Sequence, residues 1–204
     1  MRYRRETKNP AGAANFQGSM VVFAMKTDAE ALAAACARGE TGAFEELFDA
    51  LRVPVFNIAY RMVGNEDDAS DICQITFVKA YEKISDYDSR YKFFSWIYRI
   101  AVNESINHIK RNARRSPLQG DEPAPDHAPD AICHGHELGV LIQDALMRLP
   151  HRQRALVILR HFRGCTYREM AGILDVPEST VRSGLYAARQ KLQELLQAAG
   201  AWPC

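Results

Sequence analysis

From residue 26 onward the chain alternates apolar and polar positions at helical spacing, and nowhere shows the every-second-residue pattern of a strand. KTDAEALAAACAR predicts an Ala-rich helix that stops at Gly39. In the following segment Phe44, Leu47, Phe48, Leu51, Val55, Ile58, Ala59 and Met62 recur on one stripe. Pro54 is expected to break or kink that segment and open a second helix, which stops at Gly64-Asn65. Glu66, Asp67 and Asp68 then load the first turn of another helix, where carboxylates suit the positive end of the dipole. The next helix carries Phe94, Ile97, Tyr98, Ala101, Val102, Ser105 and Ile109 on one broad inward face.

The pattern fails over residues 116–137, where four prolines and five acids occur with no Lys or Arg. Such a segment cannot bury enough apolar surface to fold alone and reads as a flexible acidic linker. Helices resume at Leu138, with stops predicted at Pro150, Gly164 and Asp175. The predicted fold class is all-α: two small helical domains, 26–115 and 138–199, joined by the linker, with residues 1–25 as a disordered extension.

Each domain carries faces that make poor core. In the second, TYREMAGIL, the turn DVP and ESTVRSGLYAARQKL form a helix-turn-helix pattern. At about 100° per residue, Val181, Leu185, Ala188 and Leu192 share the core stripe. Ser179, Ser183, Tyr186 and Gln190 point the other way, with Arg182 and Arg189 on one rim and Thr180 and Lys191 on the other. Small polar groups flanked by cations suit base readout between phosphate contacts. The charge of the whole chain is only +1, but nine cations face three acids between Arg148 and Lys191.

In the first domain, Ala69, Ile72, Cys73, Thr76 and Ala80 form a core stripe, beside a second face of Asp67, Asp71, Gln74, Phe77, Val78 and Tyr81. Acids mixed with apolar groups fit a protein-docking surface; a wide core stripe beside a solvated acidic face is the alternative. The stretch YDSRYKFFSWIY then packs six aromatics into twelve positions. Phe94 and Tyr98 fall on the core side, whereas Trp96, Arg99, Asn103, Asn107 and Lys110 fall on the opposite side. Tyr87, Arg90, Tyr91 and Lys92 precede them in a loop, and Lys110, Arg111, Arg114 and Arg115 prolong the cationic track. Rings that stack on unpaired bases, next to cations for phosphates, are what single-stranded nucleic acid requires. On this reading Trp96→Ala spares folding and impairs DNA capture.

Taken in order, these motifs resemble the group 4, extracytoplasmic-function (ECF) sigma factors of bacterial RNA polymerase. AFEELF is similar to the start of their region 2, DASDICQITFVKAYEKI to the segment that docks on the largest polymerase subunit, and FFSWIYRIAVN to their −10 segment. RLPHRQRALVILRHFRGCTYREMAGILDVPESTVRSGLYAARQKL resembles region 4, so the resemblance spans about residues 28–197. It implies core-polymerase docking through Asp71, Gln74 and Phe77, on the face they share with Asp67, Val78 and Tyr81. It implies capture of melted −10 DNA by Trp96, Arg99 and Asn103, on the track that Tyr87, Arg90, Tyr91, Lys92, Lys110 and Arg111 extend. Readout of −35 duplex falls to Ser179, Thr180, Arg182, Ser183, Tyr186, Arg189 and Gln190. The implied partners are core RNA polymerase, through its largest and second-largest subunits, promoter DNA, and an anti-sigma factor that clamps the two domains and hides both DNA faces. The chain departs from the family pattern at Ser179, where Gly is frequent, and at Gly184 and Ala187, both of which strip potential DNA contacts from the recognition helix.

Other classes find less support. A stand-alone helix-turn-helix regulator is the alternative, but it leaves the Trp96 and Asp71 faces unexplained. No nucleotide-binding loop or nucleophile triad is present, so no enzyme is expected. Cys133-His134-Gly135-His136 offers soft ligands, but in a Pro-rich segment without a CxxC, so no metal or cofactor is expected. Five scattered cysteines point to a reducing cytoplasm, and no apolar run reaches the about 18 residues of a membrane span.

Overall fold

The computed structural model describes residues 29–88, 92–115 and 134–200, and among them all regular structure is helical. The extension 1–25 and most of the acidic linker lie outside the described residues. The first domain comprises α1 (29–37), α2 (Ala43–Val63), α3 (Glu66–Lys83) with a short 3-10 turn after it, and α4 (Phe93–Arg115). The second comprises α5 (His134–Met147), α6 (His151–Val157) continued by a π-helical turn (Ile158–Phe162), α7 (Tyr167–Leu174) and α8 (Glu178–Ala198). Helix α5 therefore begins inside the range read as linker.

Local chemistry accounts for most of the boundaries. Asn65 caps α3 by accepting the Asp68 N–H at 2.9 Å. Gly64 ends α2 in the left-handed region, φ 77°, with its N–H on the Tyr60 carbonyl at 2.7 Å. Thr166 and Glu169 form a reciprocal capping box at the start of α7. Asp175 takes φ 53° at the end of that helix, a conformation Asp tolerates better than most non-glycine residues.

Pro54 does not break its helix. Helix α2 runs through it without interruption. The missing N–H and the ring would cost about 3 kcal/mol in a free helix. Here Leu51 on one side and Val55 on the other are both buried and hold the segment against the core.

The two domains do not hang apart. Helix α4 packs along α7, and α2 packs against α5, α6 and the π-helical turn. One continuous core joins Leu47, Met62, Phe94 and Tyr98 to Leu146, Leu159, Met170 and Val181. Polar contacts reinforce the seam. The Arg61 guanidinium lies 3.7 Å from the centre of the Phe162 ring, and the buried Arg154 side chain donates to the Met62 carbonyl. Periodicity within each segment cannot register such long-range contacts, which is why the sequence reads as two bodies on a tether.

Candidate polymerase- and DNA-binding faces

Helix α3 buries the stripe Ala69, Ile72, Cys73, Thr76 and Ala80 and exposes Asp67, Asp71, Gln74, Val78 and Tyr81. Phe77 breaks from the predicted face. It is 4% exposed and meets Phe44 and Phe48 edge to face, with ring centres 6.5 and 4.7 Å away. Its part is to support the surface from beneath. Phe48, which periodicity places in the core, is instead 39% exposed, and Tyr81 is 64% exposed against Phe44. An apolar patch of Phe48, Val78 and Tyr81 bordered by acids is thus presented across α2 and α3. Only its α3 half was evident from spacing.

On α4 the inward and outward faces divide as predicted for Phe94, Ile97, Tyr98, Ala101, Val102 and Ser105, which are buried, and for Arg99, Asn103, Asn107, Lys110 and Arg111, which are exposed. One aromatic, Trp96, differs, and spacing alone assigns Phe93 no face. Phe93 is fully buried. Trp96 is half-buried, its ring 5.3 Å from that of Phe93 and 5.7 Å from that of Tyr87. The three rings form one cluster, Phe93 buried and Tyr87 and Trp96 half-buried, so Trp96 is a structural as well as a surface group. The expectation that Trp96→Ala spares folding is corrected accordingly. Burial pushes the Tyr87 hydroxyl above its ordinary value, so it stays a neutral donor. Arg90 and Tyr91 lie outside the described residues.

The cations beside this cluster already have partners. Lys92 Nζ donates to Glu169 Oε1 of α7 at 2.8 Å, and Arg99 donates to the carbonyl of Gly172. The hydrogen bond it donates to Glu169 raises the Lys92 amine above its ordinary value. Burial pushes the Glu169 carboxyl up, but hydrogen bonds from Lys92 and Thr166 outweigh it and leave it below the ordinary carboxylate value.

The recognition helix conforms closely to its pattern. Val181, Leu185 and Ala188 are buried, and Ser179, Thr180, Arg182, Ser183, Tyr186, Arg189 and Gln190 are exposed. Tyr186 Oη accepts from Gln190 Nε2 at 2.8 Å, fixing the pair on the outer face. Arg182 pairs with Glu178 at 2.7 Å and lies 5.6 Å from the Tyr167 ring centre. Arg189 Nε donates to His161 Nε2 at 3.3 Å, which requires that nitrogen to be unprotonated. Tyr167, Arg182, Leu185, Tyr186 and Arg189 line a shallow concavity at this end of the helix pair. Tyr167 and His161 were not evident from the sequence, because they come from α7 and the π-helical turn rather than α8.

Gly184 has a packing role. A Cβ placed there would come within 2.7 Å of Leu156 Cδ1, so the glycine lets α8 approach α6. Reading it as a lost DNA contact misses this constraint.

Among the described residues no group of His, Cys, Asp and Glu could hold a metal ion, and no helix is long and apolar enough to cross a membrane. The Cys133–His136 cluster lies outside the described side chains.

Two helical domains, with a helix-turn-helix in the second and an acidic-apolar face and an aromatic-cationic face in the first, define the architecture of a sigma factor. Comparison with known proteins agrees. Residues 47–115 match the model for sigma-70 region 2, and residues 139–192 match that for sigma-70 region 4. The chain belongs to the sigma-70 family, and its curated relatives place it among the ECF sigma factors of RNA polymerase. It is similar to the RNA polymerase sigma-H factor of Pseudomonas aeruginosa, 28% identical over 78% of this chain and 89% of that protein. It is likewise similar to the ECF sigma factor SigW of Bacillus subtilis, 28% identical over 78% of this chain and 92% of that one. Among solved structures it resembles CnrH in complex with the cytosolic domain of CnrY, with a TM-score of 0.64 and 26% identity over 84% of this chain and 98% of that one. The fold also matches the sigma factor RpoE of Bartonella quintana, solved with the anti-sigma factor NepR, at a TM-score of 0.62 and 23% identity over 76% of this chain and 96% of that one. Nothing in these comparisons favours a stand-alone helix-turn-helix regulator.

Proposed function

We propose that this chain docks on the largest and second-largest subunits of core RNA polymerase and directs it to promoters through two DNA contacts, without catalytic residues of its own. Docking uses Asp67, Asp71, Gln74, Val78 and Tyr81 on α3, extended by Phe48 on α2. The −35 duplex is read by Ser179, Thr180, Arg182, Ser183, Tyr186, Arg189 and Gln190. The melted −10 strand is taken by Trp96 with Tyr87, Lys92, Arg99, Asn103, Lys110 and Arg111, and by Arg90 and Tyr91 of the preceding loop. Stacking a flipped base on an aromatic group offsets part of the cost of unpairing it, so strand separation and recognition become one event.

The observation that carries this reading is the outward face of α8, where six polar or cationic side chains and Tyr186 stand exposed above a fully buried Val181–Leu185–Ala188 stripe. The occurrence of two structural relatives in complexes named for CnrY and for an anti-sigma factor supports a protein inhibitor as a further partner. The test is association with purified core polymerase by gel filtration, followed by binding of promoter DNA to the complex. Co-elution with core and protection of two upstream elements are expected; a chain that never co-elutes contradicts the proposal.

A further inference from the structure

The two DNA faces are not equally free in this arrangement. On α8 the reading face is exposed throughout, and its paired cations are held within their own domain, Arg182 by Glu178 of the same helix and Arg189 by His161. Two cations beside the aromatic cluster, Lys92 just before α4 and Arg99 on it, are held by α7, one toward each end of that short helix. Lys92 Nζ lies 2.8 Å from Glu169 Oε1. The other carboxylate oxygen, Oε2, accepts the Thr166 N–H at 2.8 Å, so the helix's own cap fixes the carboxylate in place. At the far end Arg99 Nε donates to the Gly172 carbonyl at 3.0 Å, and its Nη2 reaches the same oxygen. Gly172 is among the last four residues of α7, whose carbonyls lack partners within the helix. A cation there also meets the negative end of the helix dipole.

We propose that α7, the supporting helix of the helix-turn-helix, is an intramolecular competitor for the −10 strand. This rests on the reading of Lys92 and Arg99 as −10 contacts. A carboxylate and a terminal carbonyl occupy the same donors that phosphate and base oxygens would use. In the isolated chain the −10 face is therefore latched while the −35 face stays open to duplex. The consequence is an order of events: duplex can be engaged first, and single-strand capture waits until α4 and α7 separate. The ion pair is partly exposed, Lys92 by 58% and Glu169 by 14%, which makes the latch weak enough for a docking partner to open.

The variant Glu169→Gln tests this directly, because glutamine preserves the capping box while removing the charge that holds Lys92. Binding of a short, mixed-sequence, single-stranded DNA oligonucleotide to the full chain is measured by fluorescence anisotropy. Glu169→Gln is expected to bind about fivefold tighter than wild type, with duplex binding unchanged. Glu40→Gln, which removes the same charge from a carboxylate paired with Arg38, is expected to match wild type. Thermal melts of each variant confirm that the fold is kept. Equal binding by wild type and Glu169→Gln, with both weakened by Lys92→Ala, overturns the latch and leaves the −10 assignment standing. No effect of Lys92→Ala in either background overturns both. Equal tightening by Glu40→Gln reduces the effect to net charge and also overturns the latch.

Discussion

Arg154, on α6, donates a hydrogen bond to the carbonyl of Met62, at the end of α2 in the other domain. The same guanidinium donates to the carbonyls of Leu146, Met147 and Leu149 at 2.9, 2.6 and 3.1 Å. It is 6% exposed, and burial lowers its pKa to about 10, so it remains a cation at neutral pH. One buried charge thus serves the negative ends of two helices, α2 and α5, that belong to different domains.

Arg154→Met should therefore cost about 3 kcal/mol or more, because it leaves several buried carbonyls without donors. Arg154→Lys should recover only part of this, since an ammonium cannot span the same set of oxygens. Urea denaturation with matched m-values measures both.

Trp96→Ala should cost about 1–3 kcal/mol, because the ring is packed on Phe93 and Tyr87 rather than standing free. It should also reduce permanganate reactivity of −10 thymines in the polymerase complex. Trp96→Phe separates the effects, retaining most of the stability while losing part of the stacking surface.

Gly184→Arg should destabilise the second domain by about 1–3 kcal/mol, because beyond the first carbon, which alanine shares, a long side chain must be fitted beside Leu156 at a half-buried position. Gly184→Ala should be nearly neutral. A helix-propensity gain of up to about 1 kcal/mol is set against a shift of a flexible leucine tip. Chemical denaturation of the two variants distinguishes these outcomes.

Tyr81→Ala and Phe48→Ala should each weaken association with core polymerase about tenfold or more. Tyr81 is 64% exposed, so its loss should leave the melting temperature close to wild type, whereas Phe48, 39% exposed and packed edge to face on Phe77, should also cost about 1 kcal/mol of stability. Titration of labelled core polymerase gives the affinities.

Acidification should destabilise the second domain through His151 and His161. Burial, reinforced by nearby cations, depresses both below their ordinary value of 6.5. For a base depressed in the folded state, the unfolded chain binds more protons, so stability falls as pH drops through 6.5 toward the folded value. His161→Gln, which can still accept from Arg189, should flatten part of that slope in melts followed across this range.

The sequence carried a good deal of this, unevenly. The α8 faces could be read residue by residue because Val181, Leu185 and Ala188 obey one period and the opposite side is uniformly polar. The exchange of Phe48 and Phe77 could not. Both sit at plausible helical positions, and only the crossing of α2 and α3 decides which ring goes under. Pro54 misled because local propensity was overridden by burial on either side. The seam between the domains was invisible, since Arg154–Met62 and Lys92–Glu169 join residues far apart in the chain. Gly184 looked like a missing side chain until the approach of Leu156 gave it a reason.

Run-off transcription on fragmented genomic DNA, with core polymerase alone and with this chain added, tests the central claim most directly. The account predicts new transcript starts only when both are present, sharing one upstream duplex element and one −10 element. Transcript starts that are identical with and without the chain would contradict it.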